Sequence, residues 1–139
     1  MQWVQPKTDW QWRDDAQGDF FTCADYNRIK GNIEFLAEYA KELYTAFTIA
    51  DMGPDRNETE YPYADEINLL AENLQTIVDN TYPLAIGEAT TYEDNGRFIG
   101  YADLNRIETA CLMIYENIGR IKAGKYRLGF RLGARRIKV

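Results

Sequence analysis

Three stretches of the chain place apolar residues three and four positions apart, and each reads as one helix with a narrow apolar stripe. The first stripe is Ile29, Ile33, Leu36, Ala40, Leu43 and Phe47. The second is Ile67, Leu70, Leu74, Ile77 and Val78, and the third is Leu104, Ile107, Cys111, Ile114, Ile118 and Ile121. Such a stripe is the seam of a coiled coil or small bundle, because side chains at this spacing share one helix face. Local chemistry sets the predicted bounds at residues 23–48, 63–80 and 101–122. Thr22 with Asp25 makes a capping-box start, Gly100 with Asp103 a weaker one, and Pro62 suits a first helical position. Gly124 supplies a natural stop.

Between the helices the pattern breaks. Residues 51–62 form a polar loop punctuated by Gly53 and Pro54. Its oxygens, counted from Asp55 through Asn57, Thr59 and Tyr61 to Glu66, imitate a calcium loop, but Glu60 stands where that turn requires glycine. Residues 81–99 form a second connection, in which Thr90-Thr91-Tyr92 and Arg97-Phe98-Ile99 flank the turn signal Asp94-Asn95-Gly96 as a possible short hairpin.

The ends have other periodicities. Residues 1–21 carry Trp3, Trp10 and Trp12 among prolines, glutamines and aspartates, which reads as an extended arm. Rings of that size need burial, either against the chain's own bundle or against a neighbouring subunit, where they would be interface anchors. From Lys125 every second residue is apolar, as Tyr126, Leu128, Phe130 and Leu132, which predicts a strand with one apolar face. Arg127, Arg131, Arg135 and Arg136 would meet carboxylates while that strand pairs with a partner, preferably another subunit. The expected fold is therefore mainly α, an elongated three-helix bundle built from repeated helix units. It has three parts: an aromatic arm over 1–21, the bundle over 22–124, and a basic docking strand or hairpin over 125–139.

The repeat is visible in the residues themselves. Ala24-Asp25-Tyr26-Asn27-Arg28-Ile29 returns as Ala102-Asp103-Leu104-Asn105-Arg106-Ile107, identical at five of six positions and offset by 78 throughout. A blurred copy, Ala64-Asp65-Glu66-Ile67-Asn68-Leu69-Leu70, lies between them with leucines in place of Arg-Ile. Asn32-Ile33 and Asn73-Leu74 follow the first two copies, and Ala110-Cys111 the last. Repetition of one supersecondary unit points to a structural body. Asp25, Asn27, Arg28, Asp103, Asn105 and Arg106 are expected to cap, salt-bridge and fix register between helices.

The opening Gln5-Pro6-Lys7-Thr8-Asp9-Trp10, the run Asp25-x-Asn27-Arg28-Ile29 with Asn32-Ile33, and the glycine-bearing end with Leu128-Gly129 and Leu132-Gly133 resemble small tail structural proteins of phages and prophages of Gram-positive bacteria. That family is known by its place among tail, baseplate and fibre components, so the resemblance implies a location in the virion tail, with assembly in the host cytoplasm. It also implies other tail structural proteins as partners and a homo-oligomer within a symmetric assembly.

Composition narrows the chemistry. The 139 residues contain no histidine and no serine, which removes Ser-His and Cys-His nucleophilic sites and the commonest metal ligand. No catalytic, cofactor-binding or metal-binding residue is expected. Cys111 lies on an apolar stripe and Cys23 at a helix start, so a disulfide between them is poorly motivated. No apolar run is long enough for a membrane span. All 22 acids lie in residues 1–119 and eight bases in 120–139, dividing the formal charge into −14 and +8. The acidic body argues against nucleic acid as a partner of the basic end. These readings favour a non-enzymatic adaptor or joining subunit over the alternative, a small helical interaction module unrelated to virions.

Overall fold

The computed structural model describes residues 3–11, 21–44, 47–57, 64–82, 84–87, 91–93 and 99–135, with side chains described as far as Gly124. The order of elements is α1 (Cys23–Ala40), α2 (Ala64–Asn80) and α3 (Tyr101–Arg135), all three packed against one another. The chain is thus mainly α, and the described residues contain no strand.

Helix α1 starts where its cap chemistry allows. Thr22 accepts from the Asp25 N–H at 3.3 Å while Asp25 accepts from the Thr22 N–H at 2.9 Å, closing the capping box. Asp25 and Asp103 both lie in a first turn, where the helix dipole favours a carboxylate. The predicted stripes form the core: Ile29, Ile33, Leu36, Leu70, Leu74, Ile77, Leu104, Ile107, Ile114 and Ile118 are all buried.

The helices run parallel. Arg28 of α1 bonds Glu108 of α3, and Glu42, just beyond α1, bonds Lys122 of α3; both pairs are 80 residues apart, so the chains advance together. Arg56 bonds both Asn27, in the first turns of α1, and Glu66, in the first turn of α2. Tyr92 bonds Asn68 of α2 and Asp103 of α3 in the same way. All three N-terminal ends therefore lie together. Parallel helices oblige each connection to travel back along the bundle before the next helix can begin.

Two boundaries differ from the predicted ones. Helix α1 stops at Ala40, not 48, in a turn where the Leu43 and Tyr44 N–H groups both donate to the Ala40 carbonyl. Leu43 and Phe47 still pack on the core, so the apolar spacing records their burial and not their helicity. Helix α3 continues past Gly124 to Arg135, so its backbone is helical where a strand is predicted from 125. Over nine residues the two periods are hard to tell apart, since Tyr126/Phe130 and Leu128/Leu132 are also i,i+4 pairs. An existing helix extends without a new nucleation cost, and bases near its C-terminal end are favoured by the dipole. Residues 136–139 lie outside the described residues, as do most of the predicted hairpin over 90–99 and residues 58–63 of the polar loop.

Candidate functional site

The motif asparagines hold the returning connections. A primary amide carries one acceptor and two donors on a planar group, so it can engage the N–H and C=O of a single residue at once. Asn27 accepts from the Arg56 N–H at 2.8 Å and donates to the Arg56 carbonyl at 2.7 Å. Asn68 does the same to Tyr92, both at 2.8 Å, and Asn105 to Trp10, at 2.7 and 2.9 Å. The asparagines five positions on form a second set: Asn32 binds Val4 at 3.0 and 2.8 Å, and Asn73 binds Ala50 at 3.0 and 2.9 Å. At the matching place on α3 stands Ala110.

The clamps give each returning segment a defined path. The first, residues 3–11, passes from α1 at Val4 to α3 at Trp10. The second passes from α2 at Ala50 to α1 at Arg56, and the third reaches α2 at Tyr92. Positive φ angles of 76° at Gly53 and 79° at Gly87 bend the second and third segments, a conformation for which glycine carries no side-chain penalty.

Beneath each segment lies the residue three places after the leading asparagine, and these three differ in charge. On α3 it is Glu108, 1% exposed, which accepts from the Lys7 N–H at 3.0 Å and from Trp10 Nε1. Glu108 also accepts from Arg28 Nε at 3.2 Å and Nη2 at 2.6 Å, while Arg28 Nη1 reaches Asp25 at 2.7 Å. Burial opposes the Arg28 charge, but the bonds to Glu108 and Asp25 outweigh it and hold the guanidinium pKa above its ordinary value. On α1 the residue is Lys30, whose Nζ donates to the Gly53 carbonyl at 2.9 Å and pairs with Asp55 at 2.7 Å. On α2 it is Ala71.

The sequence singled out Asn27, Arg28, Asn105 and Arg106, and the structure gives the first three to backbone clamping and interhelical pairing. Arg106 donates to the Ile86 carbonyl at 3.3 Å and lies 3.8 Å from Asp103. Of the two placements open to the tryptophan arm, its described part takes the chain's own bundle. Trp10 is 4% exposed in the core, and Trp3 stacks on Tyr115 at 4.1 Å between ring centroids, beside Phe35 and Tyr39. Trp12 lies outside the described residues. So do the side chains of Tyr126, Arg127, Leu128, Phe130, Arg131, Leu132 and Arg135, and all of Arg136.

Glu108 and Lys30 were not foreseen. A signal existed for Glu108, which adjoins Ile107 and stands one turn from Leu104 and Cys111 on the apolar stripe. Both cysteines are free, and burial, then the Glu108 charge, push the Cys111 thiol far above its usual range. Among the described residues no group of three or more histidines, cysteines or carboxylates could hold a metal ion, and no helix is long and apolar enough to cross a membrane. No family model matches the chain, and neither the curated proteins nor the solved structures contain a match.

Proposed function

We propose that this chain is a non-enzymatic structural subunit of a phage tail or tail-like particle, an adaptor that joins tail, baseplate or fibre components as a homo-oligomer in a symmetric assembly. It is built from three units, each a returning segment followed by a helix. The observation that carries this reading is that the residues of the family resemblance are the ones spent on holding the chain. Trp10, Asn27, Arg28 and Asn32 all bond other parts of the backbone or the buried Glu108. A motif whose polar groups grip backbone preserves shape whatever side chains the gripped segment carries, which suits a building block. The basic end of α3 is the attachment region in this reading, its charge complementing the acidic body of a neighbouring copy or another tail protein.

Particles released from the producing cell test the reading. After density-gradient purification the chain should be present at a fixed ratio to the major tail protein, and a specific antibody should decorate one level of the tail. Recovery of the chain only outside the particles, as a monomer with a single non-virion partner, would favour the alternative of a free-standing interaction module.

A further inference from the structure

Arg28 and Arg106 occupy the same place in the repeated motif, and their surroundings differ by one carboxylate. Arg28 has Asp25, three residues back, and Glu108 from the neighbouring helix. Arg106 has Asp103, three residues back, with Nε 3.8 Å from Oδ1, and on the neighbouring helix the counterpart of Glu108 is Ala71. Among the described residues the Arg106 guanidinium makes one hydrogen bond, the 3.3 Å contact from Nη1 to the Ile86 carbonyl. Its Nε is buried and has no hydrogen-bond partner. A buried donor on a charged group costs stability unless an acceptor reaches it.

Two cavities adjoin this side chain. One, of about 260 Å³, is lined by Asn68, Ala71, Gln75 and Thr91, and the other, of about 350 Å³, by Asn105, Thr109, Ala110 and Met113. Ile86, Gly87 and Arg106 line both. A Cβ at Gly87 would stand 2.9 Å from Arg106 Cδ, so the glycine lets the segment backbone lie directly over the arginine stem.

We propose that the α2/α3 groove binds a monocarboxylate on Arg106, the ligand oxygens accepting from the terminal Nη groups of the guanidinium, since the buried Nε is out of a ligand's reach. Planar guanidinium and planar carboxylate match as a fork, which sets the class of ligand. Asp103 does not forbid it, since Arg28 carries a second carboxylate beside the one three residues back. Glu72, exposed at the rim of the smaller cavity, disfavours a second negative charge and so selects against dicarboxylates. The carboxylate has two possible sources, a small free acid or the C-terminus of a polypeptide.

Thermal unfolding of the full chain in sodium acetate, against sodium chloride at equal ionic strength, tests the site. Acetate should raise the melting temperature by about 5 °C at ten times its dissociation constant. Arg106→Gln should abolish the shift, and Arg106→Lys, which keeps the charge and loses the fork, should reduce it by more than half. Ala71→Glu supplies the carboxylate internally, so it should raise the melting temperature without acetate and remove the response to it. A short peptide with a free C-terminus, compared with its amide, separates the sources. Tenfold tighter binding of the acid form than of acetate identifies a polypeptide terminus, and equal binding identifies a small acid. Equal melting temperatures in acetate and chloride, or an Arg106→Gln response like that of the wild type, would overturn the proposal.

Discussion

An asparagine that binds both backbone groups of one residue replaces a β-ladder partner for a segment that has none. Asn32 and Asn73 do so at about 1% exposure, where no water can take over once the amide is gone. Asn32→Ala and Asn73→Ala should each lower stability by about 2 kcal/mol, measured by urea unfolding, because two hydrogen bonds are lost and a small cavity opens. If either variant unfolds at the wild-type midpoint, the clamps are ornaments of the fold. Tyr26 supplies the opposite case, a buried hydroxyl that faces the Glu66 carboxylate without a well-formed hydrogen bond. Burial, and then the charge of Glu66, push its pKa from 10 up to about 12. A raised acid favours the folded state below pH 10 and loses that advantage as pH climbs toward 12, because the unfolded chain ionises first. Tyr26→Phe should leave neutral-pH stability unchanged or slightly higher, and should fall less steeply than the wild type between pH 10 and 12. The asparagines were legible as a recurrence in the sequence, but their partners were not. Val4, Ala50 and Trp10 are held by their backbones, which leaves no mark on residue type.

At the scale of elements, the three helices could be read from the apolar stripes, and the starts of α1 and α3 from the residues around Thr22 and Gly100. Their ends were harder. Leu43 and Phe47 keep the helical spacing while the chain has already turned, since a returning segment buries the same face from outside. The parallel arrangement was hidden because long connections are compatible with either direction. What fixes α1 against α3 is the Arg28–Glu108 pair, 18% and 1% exposed, with Trp10 and Lys7 on the same carboxylate. Glu108→Ala should cost about 3 kcal/mol, since it strands a largely buried guanidinium together with two N–H donors. Replacing both partners, as Arg28→Met with Glu108→Met, should cost less than the two single changes added together, by about 2 kcal/mol. Additive losses in that double-mutant cycle would show that Arg28 and Glu108 do not stabilise the bundle as a pair.

The whole molecule joins a clamped body to a longer helix. By the offset of 80 that aligns α1 with α3, the end of α1 at Ala40 lies level with residue 120, and the backbone of α3 runs on to Arg135. At 1.5 Å per residue this extension is roughly 22 Å, and it coincides with the part of the chain that holds bases and no acid. Among the described side chains the last in the core is Ile118, so the described core closes before residue 125. Deleting residues 125–139 should therefore leave the melting temperature within a few degrees of the full chain and remove only the helical signal of the lost segment. If the extension is the attachment region, the same deletion should abolish self-association or incorporation into particles, read by sedimentation of the two proteins at equal concentration. Salt should weaken attachment of the full chain gradually, because at 0.15 M exposed charges more than about 8 Å apart are largely screened while buried contacts are screened much less. A truncated protein that assembles as well as the full chain would assign attachment to the acidic body instead, with the basic extension serving some other surface.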